Sequence, residues 1–207
     1  MASTESSLGR FTSIRVLVPG TGTRFRCGGL SVALQTARLL SRLRPTQLVT
    51  YRQRQSDHPF LDDLLQQDES SEDVLWLVSW GFDVPLLLRR LKGRPVIYQA
   101  HSSGYGFDLP AGVPVLAVSR NTMGYWGDRA PRNPLFFLPN ALEPQWFERG
   151  ARHLALDSRS IDVLVQLRKS SDYVLSQLVP ALRDRGLRVE VQDGWVDDLV
   201  GLFNSAK

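Results

Sequence analysis

The sequence predicts an α/β protein: a parallel sheet flanked by helices, followed by the beginning of a second unit of the same kind. Two observations predict it. Apolar runs of strand length recur at residues 14–18, 47–51, 74–79, 95–99, 113–118 and 135–138, and they are largely continuous rather than alternating. Continuous runs mark strands buried on both faces. Between the runs lie segments with helical spacing, so the chain reads strand, helix, strand, helix, which is the rhythm of a parallel sheet.

Taken in order, residues 1–12 read as a short disordered leader. The first strand breaks into a glycine-rich loop, "PGTGTRFRCGG", and the chain resumes as a helix with Leu30, Leu34, Ala37, Leu40 and Leu43 on one side. A second helix follows at Phe60, Leu61, Leu64 and Leu65, and a third over residues 86–91. After His101 the close succession of Gly104, Gly106, Pro110 and Gly112 predicts a long loop beyond a strand end, a position favoured for function. Ser119 stands where a helix N-cap belongs, before a short helix ending near Gly127. Past Asn140 the texture changes, so the first domain is expected over 13–145 and a polar linker over 146–160. Residues 161–207 restart the alternation: strand 161–167, helix 172–185, strand 187–192, helix 196–205. They read as the incomplete start of a second α/β domain.

Composition narrows the chemistry. The single cysteine, Cys27, excludes an internal disulfide and a cysteine-cluster zinc site, and the three histidines show no metal-ligand spacing. A cytoplasmic setting is the expectation, with no signal peptide and no run of membrane-spanning length. The net charge is +4, and Arg10, Arg15, Arg24, Arg26, Arg38, Arg42, Arg44, Arg52 and Arg54 crowd the first quarter against almost no acid. That bias suggests an anionic partner: a phosphorylated small molecule, a lipid surface or nucleic acid.

The first loop separates these. A dinucleotide fingerprint needs G-x-G-x-x-G, and "GTGTRF" puts Phe25 at the third glycine. A phosphate-cradling Walker loop ends in Gly-Lys-Ser/Thr, whereas this one ends "CGGLS". What remains is Gly28-Gly29 at a helix start, where bare backbone N–H groups and the positive end of the helix dipole can approach a diphosphate. A glycine pair serving only a tight turn is the competing explanation.

Three further stretches, "VIYQAHSSGYG", "VPVLAVSRNTMGYW" and "LFFLPNALEPQWF", resemble in order and spacing the glycosyltransferases of GT-B fold, family 4-like. "VLVQLRKSSDYVLSQLVPAL" and "LRVEVQDGWVDDLVGLFNSAK" are similar to the opening of that family's nucleotide-binding domain. The resemblance implies a Rossmann-like acceptor-side domain and the start of a Rossmann-like donor domain. It implies transfer of a sugar from a nucleotide sugar to a saccharide or lipid-linked acceptor, without a metal cofactor. By the same resemblance His101 faces the sugar as the catalytic candidate, and Gly28, Gly29, Arg168 and Lys169 hold the diphosphate. Ser119 and Asn140 are possible substrate or hinge contacts, and Ser119 reads more readily as a cap. The tryptophans Trp76, Trp80, Trp126, Trp146 and Trp195 are expected mostly in packing. Departures from the family pattern are Ala141 after Asn140, the adjacency of Arg168 and Lys169, and the lack of a Glu-x7-Glu segment within the 207 residues. A non-catalytic or split-partner GT-B domain is therefore one alternative. Another is a basic membrane-surface or nucleic-acid module built on "ALQTARLLSRLRP", with nucleic acid the less favoured partner.

Overall fold

The computed structural model describes residues 10–67, 72–79, 81–142, 144, 154–167 and 170–207. The chain divides into two compact units, Met1–Leu142 and Glu143–Lys207. In the first, six strands form one sheet: β1 (Ser13–Val18), β2 (Thr46–Thr50), β3 (Val74–Val78), β4 (Val96–Ala100), β5 (Val115–Ala117) and β6 (Leu135–Phe137). Their order is β2-β1-β3-β4-β5-β6, and every pair is parallel. With helices α1 (Gly28–Leu40), α2 (Leu61–Gln67), α3 (Val84–Arg90) and α4 (Arg120–Arg129) around it, this is a Rossmann-like α/β fold, as the sequence predicts.

Strand order and chirality decide which face each helix takes. Only the step from β1 to β2 runs toward one edge; every later step runs toward the other. Right-handed crossovers then put α1 on one face of the sheet and α2, α3 and α4 on the other. The cores follow this division. Ile14, Val16, Val18, Leu75 and Leu77 pack with Leu30, Ala33 and Ala37 of α1. Leu17, Trp76, Val78, Tyr98, Ala100 and Val115 pack on the opposite face with Leu61, Val84, Leu87, Leu91 and Trp126. Each of β1 to β5 feeds both cores, which is why the sequence shows continuous apolar runs there.

The same topology leaves part of one face bare. Of the crossovers, β1 to β2 is the one that falls on α1's face, so among the described helices of this unit α1 alone serves that side. Beyond it Ile97 and Leu116 are half-buried and Phe136 is exposed. With Phe11 and Leu75 these residues line a groove of about 720 Å³. Outside β2, Phe60 extends the sheet by a single parallel bridge to Thr50.

The second unit pairs β7 (Val163–Gln166) with β8 (Val189–Gln192) in parallel. Between them a π-helical stretch, Val174–Leu178, runs into α5 (Val179–Asp184), and α6 (Leu199–Asn204) follows β8. Pro180 accounts for the widened turn: it lacks an N–H and its ring crowds the preceding turn, which a π-bulge accommodates. Val165, Val179 and Val189 form a small core. Asp162 accepts hydrogen bonds from the Arg188 backbone at 2.8 Å and the Lys207 ammonium at 2.7 Å. With the Arg188 guanidinium they hold its carboxyl far below the usual carboxylate range.

Candidate functional site

Strand order reverses direction between β1 and β3, and in such sheets ligands bind outside the carboxyl ends of the strands at that point. The loop leaving β1 there is anchored to the segment after β2. Pro19 O accepts from the backbone N–H of Arg52 and Gln53, both at 3.1 Å. Thr21 donates to Gln55 Oε1 from its backbone at 2.9 Å and its hydroxyl at 3.0 Å. Gly20 explains the phenylalanine at the third fingerprint position. A Cβ at Gly20 would lie 2.5 Å from the Phe25 ring, so glycine lets that ring close onto the loop and join the α1-side core. Tyr51 Oη donates to Asp83 Oδ2 at 2.8 Å and Arg52 pairs with the same carboxylate, tying the end of β2 to the start of α3.

Gly28 and Gly29 open α1, as their spacing predicts. Cys27 at the N-cap is extended and makes no side-chain cap bond, and the first turn holds no acid. Ser119 Oγ caps α4 by accepting from Thr122 N at 3.1 Å, and Asp198 caps α6 through Gly201 N at 3.0 Å, whereas α3 and α5, like α1, start without a side-chain cap bond. Gly28 is exposed, a Cβ there would meet nothing within 4 Å, and its φ lies outside the left-handed region. Neither packing nor backbone geometry requires a glycine at this position, and glycine disfavours a helix by up to about 1 kcal/mol relative to alanine.

Beside this helix start the sheet carries two buried polar side chains, Ser79 and Gln99. Val16 pairs with Leu77 and Val78 with Tyr98, so Val18, Ser79 and Gln99 lie level on α1's face at the carboxyl edge. Gln99 is 2% exposed and its Oε1 has no partner. Two residues on, with the same parity, comes His101, whose Nε2 is buried without a partner. The His101 ring also hydrogen-bonds the side chain of Asn140, so the structure brings together two residues that the sequence reading singled out separately.

Burial lowers the His101 pKa from its ordinary value near 6.5, and the Asn140 bond opposes that shift only partly. The sign of the pH dependence follows. Below about pH 6.5 the unfolded chain binds a proton that the folded chain resists, so stability is full above this pH and falls as pH drops toward the folded-state value. Urea unfolding between about pH 7 and pH 5 is expected to show this decline, and His101→Gln to flatten it. Asp63 and Asp162, held low by their cations, titrate below this window. An undiminished slope in the variant would show that His101 is not the group responsible.

A ladder of rings leads outward from the core at the same edge. Tyr98 meets Trp126 at 5.4 Å, Trp126 meets Phe107 at 5.3 Å, Phe107 stacks on Tyr105 at 6.0 Å, and Tyr105 meets Phe82 edge-on at 5.1 Å. Phe82 ends the series 79% exposed. Gly81, at φ +25°, lies against Tyr105, where a Cβ would come within 3.3 Å. Arg129 secures the loop by donating to the carbonyls of Gly106 and Phe107, each at 2.9 Å. The supported, exposed ring is a phenylalanine, and the sequence expectation that the tryptophans serve mostly in packing holds for two of them. Trp76 and Trp126 are fully buried, Trp195 is exposed, and Trp80 and Trp146 lie outside the described residues.

Arg168 and Lys169 also lie outside the described residues. Among the described residues, no three His, Cys, Asp or Glu side chains converge as a metal site would require. No protein-family profile matches the chain, and no curated protein matches it in sequence.

Proposed function

We propose that the chain carries the acceptor-side domain and part of the nucleotide-sugar-binding domain of a GT-B glycosyltransferase. Its reaction is transfer of a sugar from a nucleotide sugar to a saccharide or lipid-linked acceptor. The observation that carries this reading is the start of α1: uncapped, free of acids, and begun by a glycine that the fold does not need, at the point where the strand order reverses. A departing nucleoside diphosphate is the kind of group such a helix end stabilises, because the backbone donors and dipole meet the charge as it develops. The chemistry proposed draws on these donors and on protein cations rather than a metal. His101 supports the reading: its ring stands just past the carboxyl end of β4 with a buried Nε2 that has no partner among the described residues, and such a nitrogen suits a sugar or acceptor hydroxyl.

The test is ligand-observed NMR on residues 1–207 with UDP, GDP, ADP and inorganic pyrophosphate. Contact is expected with all four, pyrophosphate competing with the nucleotides, at dissociation constants of about 1 mM or weaker. No turnover of UDP-, GDP- or ADP-sugars is expected, since these residues contain no Glu-x7-Glu segment. Failure of every diphosphate to bind would remove the basis of the proposal. Turnover by the purified chain would overturn the expected inactivity.

A further inference from the structure

Nine arginines fall between residues 10 and 54, and the fold engages seven of them. Arg10 pairs with Glu72 at 3.0 Å, Arg52 with Asp83 and Arg54 with Asp63. Arg15 lies over the Trp76 ring at 4.9 Å and Arg24 over Phe25 at 4.6 Å. Arg44 donates to the Phe11 and Leu43 carbonyls, and Arg26 is likewise engaged. The remaining two, Arg38 and Arg42, have side chains with no ion pair, ring contact or hydrogen bond among the described residues.

These two stand one turn apart on the outer side of α1 and the turn that continues it, both exposed. Interleaved with them are Leu39 and Leu43, also one turn apart, and Leu43 is 65% exposed. Residues 11–56 contain no Asp or Glu. Asp57 borders the shallow groove beside Arg38, where its carboxylate faces His58 at 3.3 Å.

We propose that this end of α1 docks on an anionic lipid bilayer. Arg38 and Arg42 meet the headgroup phosphates while Leu43, with Leu39, enters the boundary between headgroups and acyl chains. Exposed leucines among unpaired cations decide for a bilayer over nucleic acid. Two free cations release few counterions from a duplex, and leucines laid on phosphates bury nothing useful. No described helix is long and apolar enough to cross a membrane, so the contact is with the surface. Because α1 has 13 residues, its two ends stand about 20 Å apart, which separates the docking corner from the candidate site. The proposal is independent of the glycosyltransferase reading.

The experiment is co-sedimentation of the full chain with vesicles of phosphatidylcholine alone, or with about a third phosphatidylserine. Binding is expected only to the mixed vesicles and is expected to weaken with salt. Arg38→Gln and Arg42→Gln should each lower partitioning by about fivefold. Leu43→Ser should lower it by a similar factor, about fivefold, and none of the three should shift the thermal midpoint, because all three side chains are exposed. Equal binding to both vesicle types, undiminished binding by the double arginine variant, or no vesicle binding at all would each overturn the proposal. Duplex DNA bound through the same arginines, with no vesicle binding, would assign the patch to a polyanion instead. Diphosphate contact, read separately by NMR, is expected to be unchanged in all three variants.

Discussion

Trp126→Ala is expected to lower the free energy of unfolding by about 3–5 kcal/mol, measured by urea denaturation. Trp126 is 1% exposed and meets Tyr98, Phe107 and Tyr125 at ring separations of 5.4, 5.3 and 5.1 Å. Truncation removes the apolar burial and leaves a cavity that the strand side, fixed by β4, cannot close. The indole Nε1 has no partner, so the substitution forfeits no hydrogen bond and the loss is one of packing. Trp126→Phe should accordingly recover much of it. The damage should also travel outward, because Phe107 loses the surface that supports Tyr105 and, through it, Phe82. A loss below about 1 kcal/mol would mean that the rings are not packed as described.

The sheet was legible in the sequence because burial on both faces leaves a strong local signature. All six apolar runs became strands, and the Ser119 cap was readable because an N-cap is decided by neighbouring residues. Strand order was not readable, and two features of the site depend on it. The arginine excess looked unbalanced only along the chain. Folding brings Glu72 to Arg10 and Asp83 to Arg52 across separations of 62 and 31 residues. Gln99 did carry a signal: a lone amide inside "VIYQA" must be buried if the strand is buried on both faces, and a buried amide needs a partner. Its unpaired Oε1 marks the place where that requirement is left open. The closeness of His101 and Asn140 had no local signal, since it depends on the parallel neighbours that bring the ends of β4 and β6 to one edge.

Gly28→Val is expected to lower the affinity for pyrophosphate and for UDP, GDP or ADP by about tenfold or more, with the thermal midpoint within about 1 °C of the wild type. The two readouts separate because of what surrounds Gly28. A side chain there enters open space, so it neither overpacks the core nor strains the backbone. The same open space is where an anion must come to reach the first N–H groups of α1, and a branched side chain would stand in its way. Gly28→Ala sharpens the comparison. Alanine should raise stability by a few tenths of a kcal/mol to about 1 kcal/mol, because glycine's conformational freedom in the unfolded chain is removed, while a smaller loss of affinity remains. Gly29, half-buried beside it, supplies the companion test: Gly29→Val should abolish binding with little change in midpoint if the pair cradles a diphosphate. If both valine variants bind diphosphates as the wild type does, and Gly29→Val alone lowers the midpoint, the pair serves the turn. The diphosphate site would then have to be sought elsewhere on the carboxyl edge, beginning beside Gln99 Oε1 and His101 Nε2, which have no partner among the described residues.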